Sequence, residues 1–388
     1  MADARIYIKQ NGVSNIKEFL EKKLEGSKDV KIRFAITGNG GTGKSAFINA
    51  IRGLRDDDGG AAEVGVTETT TKPTEYQHPD NPMISFLDLP GIGTPNFPDL
   101  RTYCEKVSFE DYDTFLIFTK GRFTKNDLDL AKKVKSIGKS FFLVRAHIDE
   151  DCNRRSTNES EILKEIRENC VKNVKALISS EDEIFLISNY HKDKWDFDRL
   201  IAAISDALPV RQRESLTLSL SNVTRECLKR KAKILRVQAV AVATISAGAG
   251  AIPIPCVGGV IGTILITGTM MVYYRQLGLN NTTAEERALL DEKYRGIIER
   301  YQSRSPNDVV SILSTKALTV IVGVEEVSKY IPLIGLAIAS SIGFALTLRY
   351  LLKCINELEE AAIAVWDNAA KRSIQDGSDT STKNSSAQ

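Results

Sequence analysis

A run of eight residues, Gly38-Asn39-Gly40-Gly41-Thr42-Gly43-Lys44-Ser45, constrains this chain more than any other feature. Upstream, residues 31–37 read as a β-strand that runs straight into the glycines. Downstream, Ala46 begins a helical pattern that continues to residue 51. A strand, a glycine-rich turn and a helix in that order make G-x-x-x-x-G-K-S a phosphate-binding loop. Glycines let the backbone curl so that successive N–H groups face a phosphate, and the helix N-terminus adds partial positive charge. Lys44 is placed to reach the β- and γ-phosphates, and the Ser45 hydroxyl to hold Mg²⁺. The bland alternative, a glycine-rich turn that binds nothing, does not explain the flanking pattern. The chain is expected to bind a nucleoside triphosphate.

The surrounding sequence supplies a frame for such a loop. Short apolar runs at residues 83–88, 114–118, 140–144 and 184–187 read as strands. They alternate with helical patterns near 127–137, 159–177 and 197–208. That alternation predicts an α/β domain over residues 31–208, with a parallel sheet covered on both faces. Residues 51–82 are polar and rich in Gly, Asp and Thr, as a mobile switch loop would be. A chain of 388 residues exceeds one compact core. Beyond Pro209 strand signals vanish, so residues 209–370 are expected to form a helical domain. An amphipathic helix at 13–24, within the leading segment 1–30, is expected to pack on a later part of the chain. Residues 371–388 offer little to bury and read as disordered.

Composition narrows the function. A formal net charge of +2 makes no case for nucleic acid as a partner. Six cysteines without a Cys-x-x-Cys pair suit free thiols in a reducing cytosol, and three histidines exclude a His-rich metal site. Met1-Ala2-Asp3 begins no signal peptide, and Ala2 stands where myristoylation needs glycine. A cytoplasmic protein is expected.

Two further motifs complete the nucleotide reading. Asp88-Leu89-Pro90-Gly91 ends a strand, where Asp88 would hold Mg²⁺ through water and the Gly91 N–H would sense the γ-phosphate. Between the motifs, Thr67 to Thr71 offer a threonine for the Mg²⁺ shell; Thr70 is the first choice and Thr69 the reserve. Asp149, in Ala146-His147-Ile148-Asp149 after the strand at 140–144, is placed to accept two hydrogen bonds from guanine. The usual Asn- or Thr-Lys-x-Asp pattern is altered at Ala146 and His147, where an imidazole could lie on the purine face. Ser188-Asn189 follows the last strand and would offer a backbone N–H to the guanine O6. Guanine is thus expected over adenine. After Gly91, where many small GTPases carry a glutamine that orients water, this chain has Ile92. Intrinsic hydrolysis should be slow or depend on groups from a partner.

These segments, with Phe47–Gly53, Glu68-Thr69-Thr70, Tyr76–Pro79, Gly93–Phe97, Phe142–Arg145 and Phe185–Asn189, resemble the interferon-inducible immunity-related GTPases. The likeness is strong over residues 31–209 and weak beyond. It implies a Ras-like G domain with GTP or GDP and Mg²⁺ bound, joined to a helical domain that includes the N-terminal helix. It also implies a GTP-dependent homodimer or oligomer, hydrolysis activated within it, and action at intracellular membranes in cell-autonomous immunity. Lys44 marks the subgroup with a normal phosphate-loop lysine.

The membrane expectation has its own sequence correlate. Residues 237–274 and 330–348 carry no charge, and Pro253 and Pro255 interrupt the first stretch. A spanning helix needs about 20 mainly apolar residues. Glycines and threonines dilute both stretches, so buried helices are expected over a shallow hairpin or insertion. Two alternatives to an active GTPase stand beside it: a slow or non-hydrolysing GTP-dependent switch, and a membrane-inserted structural GTPase.

Overall fold

The computed structural model describes residues 30–65, 72–92, 97–153, 158–220, 224–250, 257–302, 344–345 and 347–369. The chain forms two compact units that divide between Cys227 and Leu228. The first holds strands β1 (Ile32–Gly38), β2 (Thr74–His78), β3 (Asn81–Asp88), β4 (Thr114–Thr119), β5 (Ser140–Arg145) and β6 (Ile184–Leu186). They form one sheet in the order β2-β3-β1-β4-β5-β6. From β3 to β6 every pairing is parallel.

The strands are short apolar runs because both faces of the sheet are covered. Alternate residues of β1 serve opposite layers. Phe34 and Ile36 join Phe47 of helix α1 (Lys44–Ile51), Phe118 and Phe197 in one core. Ala35 joins Leu87, Phe115, Ile117 and Tyr103 in the other. Helix α2 (Leu100–Lys106) supplies Tyr103, and α3 (Lys125–Ser136) supplies Leu130 and Val134. The short α4 (Ile148–Asn153) and the longer α5 (Glu159–Val174) add Ile148, Cys170 and Val174. Helix α6 (Phe197–Ala207) closes the opposite face with Leu200, Ile201 and Ile204.

Two sequence expectations change here. The sheet is mixed, and the expected loop at 51–82 contains β2, antiparallel to β3 with Thr74 opposite Asp88 and Tyr76 opposite Phe86. Thr-Glu-Tyr-Gln-His lacks an apolar run because β2 is an edge strand with a neighbour on one side only. The first unit also extends past residue 208 to include α7 (Val210–Ser219). Its Leu216 and the following Leu220 enter the first core. The buried Asn81 amide donates to Ser215 Oγ and Ser219 Oγ at 3.1 Å each. Pro209 breaks the helix without ending the unit.

In the second unit, α8 (Arg225–Gly250), which starts just before the division, and α9 (Val257–Gln276) accompany the short α10 (Ala284–Ala288), α11 (Glu292–Gln302) and a helix α12 over residues 347–369. Leu228, Ala232, Leu235, Ala239 and Val242 recur at helical spacing and are buried. So are Met270, Tyr273 and Leu277 of the α9 region and Leu351, Ile355 and Leu358 of α12. Lys231 Nζ donates to the Gln276 carbonyl at 2.7 Å, capping the end of α9. Tyr301 Oη donates to Glu357 at 2.8 Å, tying α11 to α12. Among the described residues no helix is long and apolar enough to cross a membrane. The expected N-terminal helix, the residues around Pro253 and Pro255, residues 330–343 and 346, and the tail lie outside the described residues.

Candidate nucleotide-binding site

Parallel pairing puts the carboxyl ends of β1, β3, β4, β5 and β6 along one edge of the sheet. Gly38 pairs with Phe118, Ile36 with Asp88, and Thr119 with Arg145, which in turn pairs with Leu186. Strand order reverses at β1, between β3 and β4, and ligands of open α/β sheets bind outside that point. The phosphate loop emerges there. Gly38, Gly41 and Gly43 have φ of 143°, 70° and 85°, which side chains rarely adopt. Thr42 Oγ1 donates to the Asn39 carbonyl at 2.8 Å, closing the turn, while Gly40 stands exposed at its outer side. Buried Ala46 follows in the first turn of α1.

Lys44 is itself buried and folds back over the loop, donating to the carbonyls of Gly38 at 3.0 Å and Asn39 at 3.1 Å. Its ammonium is thereby held at the loop rather than swinging in solvent. Ser45 Oγ donates to Asp88 Oδ2 at 3.0 Å. A hydroxyl and a carboxylate brought together beside a phosphate loop suit Mg²⁺, a hard cation that takes its other ligands from phosphate and water. Gly91 approaches so closely that a Cβ there would lie 2.9 Å from the Gly38 carbonyl oxygen. Only glycine lets the second motif touch the first. Thr70 and Thr69, together with residues 93–96, lie outside the described residues.

The base-side loops are joined to each other through the backbone. Ile187 N–H donates to the Arg145 carbonyl at 2.9 Å, and Ile148 N–H to the Ile187 carbonyl at 3.2 Å. Asp149 is half-buried in the first turn of α4 rather than in a loop, where a carboxylate is favoured by the helix dipole. Arg145, buried at the end of β5, donates to the Ala146 carbonyl and pairs with Asp151 of α4. That pair fixes the helix carrying Asp149. Ser188 is fully buried, and its Oγ accepts from the Tyr190 N–H at 3.3 Å.

His147 has φ of 60°, a left-handed conformation uncommon outside glycine and asparagine. Hydrogen bonds hold both of its neighbours, with Ala146 N–H donating to the Thr119 carbonyl at 2.9 Å. Its Nδ1 lies 2.5 Å from Glu150 Oε1, which also accepts from Lys120 Nζ at 2.9 Å. The Lys120 hydrogen bond, with help from His147, holds the Glu150 carboxyl below the usual carboxylate range. His147 Nε2 is buried without a hydrogen-bond partner and lies 3.1 Å from where a Cβ on Gly43 would be. Imidazole therefore sits against the phosphate loop, with its ring orientation set by Glu150.

A family model described as Interferon-inducible GTPase (IIGP) matches residues 1–303. The chain belongs to the interferon-inducible GTPase family. It is a GTPase, and guanine-nucleotide binding and an immunity-related role come with that membership. T-cell-specific guanine nucleotide triphosphate-binding protein 2 of Mus musculus is 36% identical over 288 residues, covering 72% of this chain and 68% of its own. Interferon-inducible GTPase 5 of Rattus norvegicus is 31% identical over 355 residues, covering 88% and 76%. Among solved structures, the probable GTP-binding protein engB is 15% identical with a TM-score of 0.32, covering 45% of this chain and 97% of its own. At that score the Ras-like assignment rests on the strand order above.

The site also contains groups that sequence reasoning missed. Lys120, Glu150 and the Arg145–Asp151 pair support the base-side loop. Asn189 was expected to act through its backbone, yet its side-chain Nδ2 donates to the Gly43 carbonyl at 2.9 Å. None of these pairings carries a local spacing signal except His147 with Glu150, three residues apart at the start of a helix.

Proposed function

We propose that this GTPase binds GTP with its phosphates in the 38–45 loop and its base against Asp149, and hydrolyses it slowly until two copies meet across their nucleotide faces. The observation that carries this reading is Ile92. Its side chain is buried in the core with Leu89, Phe97 and Tyr103, and its carbonyl accepts from Asn126 Nδ2 at 3.3 Å. The position after Gly91 thus presents no polar side chain to orient an attacking water. Lys44 would offer its ammonium to the β- and γ-phosphates, and the Gly91 N–H would face the γ-phosphate. Mg²⁺ held by Ser45 and Asp88, with Thr70 or Thr69, would neutralise charge on the phosphates.

Turnover per molecule is expected to rise at least several-fold as protein concentration increases from nanomolar to tens of micromolar. Light scattering should show a larger species with a non-hydrolysable GTP analogue than with GDP. A flat rate and one mass in both states would favour the alternative, a slow GTP-dependent switch that works as a binding module.

We further propose peripheral contact with intracellular membranes through the helical half. Burial of Ala239, Val242, Met270 and Tyr273 weighs against a membrane-inserted structural protein. On the outer face of α8, Val237 is 69% and Val240 46% exposed, which offers a shallow apolar contact. Full-length protein should sediment with phosphatidylcholine vesicles, and Val237→Glu with Val240→Glu should reduce the bound fraction several-fold. Equal sedimentation of the two proteins would place the contact elsewhere or remove it.

A further inference from the structure

From the geometry around Gly43 we infer that the Asn189 side chain is a positioning residue, a clamp that sets the base-reading loops against the phosphate loop. The inference rests on the reading of the nucleotide site given above. A nucleotide bridges two groups of residues far apart in sequence, one reading phosphate and one reading base. Their separation must match the ligand, since misplacement by even an ångström is costly. The first residue of the base motif, Ala146, is fully buried and carries no hydrogen-bonding side chain. It cannot reach across to the phosphate loop.

Asn189 can, and does. Gly43 caps α1, and its carbonyl already accepts the first helical hydrogen bond, from Phe47 N–H at 2.9 Å. A carbonyl oxygen has a second lone pair. Asn189 Nδ2 takes it from the loop after β6, at 2.9 Å and 146 residues away in sequence. The amide can come so near because Gly43 has no side chain: a Cβ there would lie 2.9 Å from Nδ2. Glycine at 43 therefore serves two purposes, the left-handed turn and the seat of the clamp.

The clamp also meets His147. The same Cβ position is 3.1 Å from His147 Nε2, so both base-side loops converge on one point of the phosphate loop. His147 Nε2 and Asn189 Oδ1 are both buried without a hydrogen-bond partner. Buried polar atoms left unpaired are costly, and a pair of them beside one loop marks a place built for a ligand. The bond from Nδ2 fixes the amide plane, and with it the backbone of Ser188-Asn189 that faces the base. Through the Ile148–Ile187 hydrogen bond it also fixes the start of α4 and Asp149.

Fluorescent GDP chased with unlabelled GDP gives the dissociation rate, and competition gives relative affinities for GDP and inosine diphosphate. Inosine lacks the exocyclic amine that Asp149 is placed to bind, so the affinity ratio reports alignment of the base loop. Asn189→Ala and Asn189→Leu should each release GDP roughly tenfold faster, the effect of one lost hydrogen bond and the looser fit that follows. The GDP-to-IDP ratio should narrow at the same time. Asn189→Ser replaces either variant that does not fold, as judged by circular dichroism. GDP release at the wild-type rate would overturn the inference. So would faster release with an unchanged GDP-to-IDP ratio, which is what general loosening produces. Asp149→Asn measured alongside separates the two readings. If it keeps guanine preference, the site reading itself fails. If it loses that preference while the Asn189 variants match wild type, only the clamp fails.

Discussion

Lys44→Ala is expected to lower kcat/KM for GTP by about three orders of magnitude, or ~4 kcal/mol of transition-state stabilisation. The buried ammonium has two roles in the structure. It bonds the Gly38 and Asn39 carbonyls, holding the loop in its curled form. It is also placed to bond the β- and γ-phosphates, and a charge-assisted bond there is about twice as strong as a neutral one. Alanine removes both the preorganisation and the charge. Lys44→Arg should rescue little, because a planar fork cannot occupy the space of a compact ammonium. Ser45→Asn should act differently, weakening GTP more than GDP, since Ser45 would help hold a Mg²⁺ whose charge would offset the additional phosphate charge of GTP. Isothermal titration with GDP and GTP, beside steady-state hydrolysis, checks all three variants. Wild-type turnover in Lys44→Ala or Ser45→Asn would mean that residues 38–45 are not the phosphate site.

Those residues could be found in the sequence because the chemistry of a phosphate loop is local. Eight consecutive residues define it, and the flanking strand and helix leave their own periodic marks. Asp88 and Asp149 are proposed on similar ground, Asp88 because it ends an apolar run and Asp149 because it follows one. The clamp between Asn189 and Gly43 was not, because nothing in a sequence marks a pair of residues brought together only by the closing of a sheet. Lys120 and Glu150 were missed on the same ground, and Arg145 and Asp151 because their six-residue separation, across a strand end and a short helix, matches no helix or strand repeat. β2 escaped because an edge strand needs little apolar surface, and its five residues contain only one large apolar side chain, Tyr76. Helix α7 was assigned to the wrong side of the boundary because it packs Ser215 and Ser219 inward, where they receive hydrogen bonds from Asn81. Buried serines leave a helix with almost no apolar stripe for a reader to follow.

Asp149→Asn should abolish guanine preference, with GDP affinity falling about a thousandfold, while the phosphate loop stays intact. A carboxylate accepts from both the guanine N1–H and its exocyclic amine. An amide offers one acceptor and turns a donor toward the other, so a favourable contact becomes a repulsive one. The change should be confined to base reading because α4 is held from elsewhere. Ile148 is buried and its N–H bonded to Ile187, and Arg145 pairs with Asp151. Xanthosine diphosphate should gain in the variant, because the amide can donate to the carbonyl that xanthine carries in place of the amine. His147→Lys serves as the contrast. Glu150 holds the imidazole against Gly43, and lysine would put an alkyl stem and a charge there without touching the donors that Asp149 reads. It should shift GDP affinity several-fold, about 1 kcal/mol, and leave base choice alone. Affinities of both variants for GDP, ADP and XDP distinguish these effects. Unchanged guanine preference in Asp149→Asn would show that the base is read elsewhere, and that residues 146–149 only brace the phosphate loop from the side.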